Sequence, residues 1–163
     1  MNPQIFALLS DRGSLTGRFK QVMGATPKLT RLNQGMQFVS LEERQILAIP
    51  NRQMALVREI KMGKDDQNWL FARTVVPLQT LTGAARRISM LNETPIGKIL
   101  FGRNGAQRSH MQVTLTNDIP ASLQNVGVEV AQPLWQRRSI FEFSSGPLIV
   151  TEVFLPDCPI YAA

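Results

Sequence analysis

Two stretches of alternating residues place a charge where a strand would bury it. Over Met54–Met62 one face carries Met54, Leu56, Arg58, Ile60 and Met62, so a guanidinium shares its side with four apolar residues. Over Leu148–Phe154 the corresponding set is Leu148, Val150, Glu152 and Phe154, with a carboxylate in the same position. Strand side chains alternate between faces, so both charges are directed at a core. An ion left unpaired there costs several kcal/mol. A fold that accepts both must supply partners or keep interior space for a charged ligand. An arginine and a glutamate aimed into a β-lined interior point to a pocket for a small anion.

Two further arginines repeat the pattern. Trp69, Phe71, Arg73 and Val75 form one face of their strand, and Trp135, Arg137, Phe141 and Phe143 one face of theirs. Taken singly, each has a simpler reading: a wet sheet face, or a structural carboxylate such as Glu59 or Glu142. Four charges together on pairing strands favour a site. Ser14-Leu15 and Thr94-Pro95-Ile96 read as helix starts, whose first backbone N–H groups have no partner within the helix and can hold a carboxylate. Every helix needs capping, so these starts gain meaning only beside Arg58, whose planar fork suits bidentate carboxylate recognition.

The 163 residues suffice for one domain with a proper core, and residues 1–163 read as a single unit. The net charge of +6 raises the question of nucleic acid. The basic residues are scattered, with only Arg86-Arg87 and Arg137-Arg138 adjacent, so the reading is no nucleic acid and a field that attracts small polyanions. Cys158 and His110 are each the sole residue of their kind, which excludes an intramolecular disulfide and leaves no Cys- or His-based metal site. Ser109-His110 reads as a strand edge rather than part of a triad. Met1–Ser10 lacks a basic region and is too short in apolar residues for a signal peptide. No stretch approaches the roughly 20 apolar residues that span a bilayer. A cytoplasmic protein with no membrane insertion is the expectation, and monomer the default.

Along the chain, Asn2-Pro3 starts a short helix, and Ser14 caps a second with Leu15, Phe19, Val22 and Met23 on one stripe and Gly24 at its end. Lys28–Val39 reads as a strand or hairpin interrupted near Asn33–Gly35, and Gln45–Ile49 as a short strand closed by Pro50. Gln53–Met62 and Trp69–Val76 flank the polar turn Gly63–Asn68. Thr82–Leu91 and Ile96–Phe101 are expected helices, the latter capped by Thr94-Pro95. Met111–Thr116, Trp135–Phe143 and Leu148–Leu155 are strands. In Asn117–Leu134 the alternation of Val126, Val128 and Val130 offers one more. The fold class is α+β, a single domain with a mainly antiparallel β-sheet.

The motifs resemble those of the chorismate pyruvate-lyase (4-hydroxybenzoate synthase) family. They are Ser14-Leu15-Thr16-Gly17-Arg18-Phe19, Val57-Arg58-Glu59-Ile60, Trp69-Leu70-Phe71-Ala72-Arg73-Thr74-Val75-Val76-Pro77, Thr94-Pro95-Ile96-Gly97-Lys98-Ile99-Leu100-Phe101, Leu134-Trp135-Gln136-Arg137-Arg138-Ser139 and Thr151-Glu152-Val153-Phe154-Leu155-Pro156. They follow the family's order and spacing from Ser14 to Tyr161, with Asn117–Leu134 matching least. The resemblance implies helical flaps over an enclosed ligand site. It implies a ring carboxylate held by Arg58 and by the backbone amides of Leu15 and Ile96, with Glu152 at the ring hydroxyl and Arg73 lining the same cavity. Leu15 stands where the family often has methionine, which a backbone contact tolerates. The implied reaction takes chorismate to 4-hydroxybenzoate and pyruvate, towards ubiquinone, with no cofactor and no metal. The rival is a non-catalytic aromatic-acid sensor, like the effector-binding domains of bacterial transcription regulators. Such regulators carry a DNA-binding domain ahead of that module, and only about 26 residues precede the first strand here.

Overall fold

The computed structural model describes residues 3–11, 13–24 and 26–161. Asn2 and the side chains of Val22 and Met23, invoked above for the first two helices, lie outside the described set. Helices α1 (Pro3–Leu9) and α2 (Leu15–Met23) come first. Ser14 caps α2, its Oγ accepting from the Gly17 N–H at 3.3 Å, and Gly24 ends it at φ 69°, a conformation glycine adopts without steric cost. Then follow β1 (Lys28–Gln37), α3 (Leu41–Leu47), β2 (Ala55–Lys64) and β3 (Gln67–Val76). Two 3-10 segments, Leu78–Thr80 and Gly83–Met90, lead to the short α4 (Gly97–Leu100). The chain closes with β4 (Gln107–Thr116), a 3-10 segment at Ala121–Val126, β5 (Leu134–Phe143) and β6 (Gly146–Phe154).

The strands form one sheet in the order β1-β2-β3-β6-β5-β4, and every neighbouring pair is antiparallel. The α+β expectation therefore holds. Directly paired residues project to the same side, so the register sorts the side chains into two faces. Arg58, Thr74, Val150 and Ser139 form one row across the inner face, and Ile60, Ala72, Glu152 and Arg137 the next. The outer face carries Asn33, Glu59, Arg73, Thr151, Arg138 and Gln112, a polar row that crosses all six strands.

Apolar clusters cover both faces. Inside, Leu8, Leu9, Leu15 and Phe19 of α1 and α2 pack with Ile60, Met62, Trp69 and Phe154. Ala85, Ile88, Ile99 and Leu100 pack with Leu56, Val76, Phe141 and Val150. Outside, Val39, Leu47 and Ile49 join Val57, Val75 and Ile149, while Leu123 joins Phe71 and Val153. Helices thus enclose the inner face at both ends and leave a gap between them.

Three local readings are corrected and one is narrowed. Gln45–Ile49 is not a strand: its first three residues are the end of α3, which Ser40 and Glu43 start with a reciprocal capping box, both bonds at 3.1 Å. Of the two readings of Lys28–Val39 the strand holds and the hairpin does not: β1 ends at Gln37 and shifts register between Arg31 and Asn33. Thr94 makes no side-chain cap, and α4 starts from Ile96 as its first flanking residue. Val126, Val128 and Val130 form no strand; they pack as partly buried residues over the outer cluster. Burial alone produced their alternation. At Gly63, where β2 shifts register, a Cβ would run into the Gln67 carbonyl, so only glycine fits the turn into β3.

Candidate active site

Between the two inner clusters lies a cavity of about 60 Å³. Its floor is the centre of the sheet, through Arg58, Ile60, Ala72, Thr74, Val150, Glu152 and Arg137. Its roof is the start of α2, at Ser14, Leu15 and Thr16, and the start of α4, at Pro95, Ile96 and Gly97. The two helix starts abut: a Cβ built on Gly97 would stand 3.5 Å from Ser14 Oγ. The two helix starts therefore lie side by side above the cavity.

Arg58 is 1% exposed. Its Nη2 donates to the carbonyls of Thr94 at 2.8 Å and Asn92 at 3.3 Å, which ties the loop before α4 to β2. Among the described residues it has no carboxylate within salt-bridge distance, and its buried Nε has no hydrogen-bond partner. Burial, with a smaller contribution from the charge on Arg31, pushes its pKa down to about 10. A carboxylate arriving in the cavity would reverse that shift. Here the interior holds a cation that the protein does not neutralise.

Glu152, 8% exposed, faces the same space from β6. Arg137 on β5 meets it with two bonds, Nε to Oε1 at 2.9 Å and Nη2 to Oε2 at 3.2 Å. The remaining Nη1 of Arg137 donates to the carbonyls of Asp11 at 2.7 Å and Leu9 at 3.3 Å, fixing the loop between α1 and α2. Arg58 and Glu152 are two strands and one row apart, about 12 Å between Cα atoms from standard sheet spacings. Their side chains reach inward from opposite ends of that span, so a flat ring lying over Ala72 and Thr74 would meet both.

Arg73 is not part of this arrangement. It projects from the outer face, because it lies between Ala72 and Thr74, which line the cavity. Its Nε and Nη2 bind Glu43 at 2.8 and 3.0 Å, and its Nη1 reaches Glu59 at 3.4 Å. Burial would raise the Glu43 carboxyl, but the Arg73 guanidinium and the Ser40 N–H outweigh it and hold the pKa below its ordinary value. The structure thus brings Leu15, Arg58, Ile96 and Glu152 to one cavity and leaves Arg73 outside it. Arg137 and Arg108 also line the cavity. Arg137 had been noted for its strand face, and its register opposite Glu152 is what places it here. Arg108 carried no sequence signal, since it precedes the strand expected from Met111 and the observed strand starts earlier.

The described residues contain no cluster of His, Cys, Asp or Glu able to hold a metal, and no helix long and apolar enough to cross a membrane. The fold and cavity define a small α+β domain with an enclosed, arginine-lined cavity over an antiparallel sheet. The sequence pattern of the chorismate lyase family matches residues 1–163, and the chain belongs to that family. It is 36% identical over 149 residues to a probable chorismate pyruvate-lyase of Methylococcus capsulatus, covering 90% of this chain and 91% of that one. It is 34% identical over 163 residues to the chorismate pyruvate-lyase of Escherichia coli O9:H4, covering 99% and 88%. Among solved structures, the PhnF C-terminal domain superposes with a TM-score of 0.66 at 13% identity, covering 83% of this chain and 87% of that one. The ligand-binding domain of a putative GntR-family regulator from Bordetella bronchiseptica gives 0.60 at 14%, covering 82% and 87%. At such identities these two likenesses concern the fold alone.

Proposed function

We propose that this protein is a chorismate pyruvate-lyase, a carbon–oxygen lyase that converts chorismate to 4-hydroxybenzoate and pyruvate. The observation that carries the reading is Arg58, a buried cation opening into an enclosed cavity without a protein carboxylate to balance it. In this role Arg58 takes the ring carboxylate in its fork, helped by the backbone amides of Leu15 and Ile96 at the two abutting helix starts. Glu152, oriented by Arg137, meets the ring hydroxyl at the other end.

Loss of the enolpyruvyl group from one ring carbon and of hydrogen from its neighbour makes the ring aromatic. That driving force asks little of the protein beyond selecting the reactive conformer and stabilising charge on the departing group. Glu152 can accept from the hydroxyl and orient it, and an internal hydrogen transfer needs no separate base. Arg73 has no place in these steps; on the outer face it acts only through the rigidity of β2 and β3. The product, 4-hydroxybenzoate, suits a supply of quinone rings such as ubiquinone's, and a cytoplasmic monomer is the simplest form of such an enzyme.

The rival reading is a sensor that binds an aromatic acid without converting it; the regulator domains share the fold with this chain and do not favour that reading. One experiment separates them. Purified, chelator-treated protein is incubated with chorismate, and 4-hydroxybenzoate and pyruvate are quantified together. Equal amounts of both above the uncatalysed background are expected. Saturable binding of 4-hydroxybenzoate with no product formed would sink the lyase and leave the sensor.

A further inference from the structure

We propose that the hydroxyl of Thr74 binds the ring carboxylate from the floor of the cavity, beside Arg58. The assignment rests on the lyase reading and adds a contact to that same site. Thr74 is 2% exposed and lines the cavity. It is paired directly with Arg58 across β2 and β3. Side chains paired in this way stand about 4.5–5.5 Å apart at Cβ on one face of a sheet. Glu152 is one strand and one row further on, so Thr74 belongs to the arginine end of the cavity.

The fold gives this hydroxyl nothing to bind. Among the described residues, the hydroxyl side chains that line the cavity are Ser14, Thr16 and Thr74. Ser14 accepts from the Gly17 N–H at 3.3 Å, and Thr16 donates to the Met62 sulfur at 3.8 Å. Thr74 makes no side-chain hydrogen bond within the described residues. Burying a hydroxyl without a partner is unfavourable. The strand does not call for one, since valine has the same branched shape and suits a strand equally well. Val75 and Val76 follow directly and are fully buried. The Arg58 Nε is a second buried donor without a partner. Two such donors on paired residues mark a place for an acceptor, and a carboxylate is the acceptor that suits a guanidinium beside a hydroxyl.

Leu15 and Ile96 belong to the roof and Thr74 to the floor, so the carboxylate is held from both sides and the tilt of the ring over Ala72 is fixed. The ring carboxylate is the same group in chorismate and in 4-hydroxybenzoate, and none of its bonds breaks in the reaction. A contact to it therefore contributes to binding and not to rate. Ser139 supplies the contrast. It lies on the same inner-face row, is fully buried, and has an Oγ without a partner, yet it does not line the cavity. Its hydroxyl is out of a ligand's reach.

Thr74→Val tests this by removing the hydroxyl and keeping the shape. Affinity for 4-hydroxybenzoate should fall about 10- to 100-fold, with KM for chorismate rising by the same factor and kcat within about twofold. The melting temperature of the ligand-free variant should hold or rise. 4-Cresol, with a methyl group in place of the carboxylate, should compete for the cavity as well as before. Thr74→Ser should recover most of the lost affinity, and Ser139→Ala should lose none. Undiminished 4-hydroxybenzoate affinity in Thr74→Val overturns the assignment. A lowered melting temperature or a failure to fold does so too, because either makes the hydroxyl structural. An equal loss for 4-cresol would reduce Thr74 to a shaped wall, and a fall in kcat at unchanged KM would place the hydroxyl at the breaking bond instead. A wild-type protein that bound chorismate without converting it would end the lyase reading, while the 4-hydroxybenzoate and 4-cresol titrations would still decide the role of Thr74.

Discussion

Arg58 and Arg73 occupy paired strands, Arg58 opposite Thr74 and Arg73 opposite Glu59, yet the thickness of the sheet separates their charges. Both are largely withdrawn from water, Arg58 at 1% exposure and the Arg73 side chain at 24%. They differ in what meets them. Arg73 binds two carboxylates with three hydrogen bonds and belongs to a polar row whose members bond to one another, Asn33 to Glu59 and Arg138 to Thr151. Arg58 is given two carbonyl oxygens and an open cavity. An arginine buried on a strand is therefore no marker of a site in itself. What distinguishes a ligand's arginine is that the fold withholds its counter-charge.

Breaking the outer cluster should have the largest effect. Arg73→Ala leaves Glu43 and Glu59 buried without their cation, at about 3–5 kcal/mol of stability. Denaturant melts should show that loss, with KM for chorismate unchanged in the protein that stays folded. The stability Glu43 contributes through its lowered pKa is fully present above its unfolded value and is lost as pH falls through the folded one, so the deficit of the variant should narrow in acid. A raised KM with an unaltered melt would return Arg73 to the site.

On the inner face the same substitution should read out in binding. Arg58→Ala removes a charged fork from the ring carboxylate, about 2–4 kcal/mol, or roughly 30- to 1000-fold in 4-hydroxybenzoate affinity. The fold should survive, since the group it removes is already an uncompensated charge. Calorimetric titration showing undiminished product affinity would dismiss Arg58 as the carboxylate's partner.

Glu152 belongs to both classes at once, and its variant should show two losses. Glu152→Gln leaves Arg137 buried beside a neutral group, so melting temperature and turnover should fall together, turnover by about 10- to 100-fold. Adding Arg137→Met removes the stranded charge and should restore the melting temperature but not the rate. A double variant that regained activity would reduce Glu152 to a structural ion-pair member.

Much of this was legible in the chain because strand alternation is a strict rule. Arg58 and Glu152 were assigned to a buried face, and the register confirms that they share one. The same rule applied to Phe71, Arg73 and Val75 gave their common face, but Trp69, at the register shift between Met62 and Gly63, packs with the inner cluster instead. The rule could not say which side of the sheet that face was, because a one-residue step reverses it and β3 is apolar on both sides. The pairing with Glu59, weighed for strand arginines from the start, is what the register delivers. α3 was missed although Ser40-Leu41-Glu42-Glu43 spells a capping box, since Leu47 and Ile49 also suit a strand. Arg108 was invisible for a different reason: its place depends on β4 being the far edge strand, which is a fact of topology rather than of local pattern.

The smallest effect is also the one that most directly reads the withheld counter-charge. Burial holds Arg58 down at about 10, well below the ordinary guanidinium range. Its folded form binds the proton less tightly than the unfolded chain does, so from this group alone stability should rise with pH from about 10 towards that ordinary range. Anion binding should move the opposite way, because the carboxylate needs the protonated guanidinium. Benzoate is the probe, since it has no phenol of its own to titrate. Its affinity should be level from pH 7 to about 9 and then decline, approaching tenfold per unit above about 10, as expected for loss of a single required proton. Arg73, neutralised on the outer face, should leave that profile untouched, so an Arg73→Lys protein should reproduce it. A benzoate affinity that stayed flat to pH 10.5 would mean that Arg58 keeps its proton without help from a ligand, and that the inner face is better compensated than its contacts indicate.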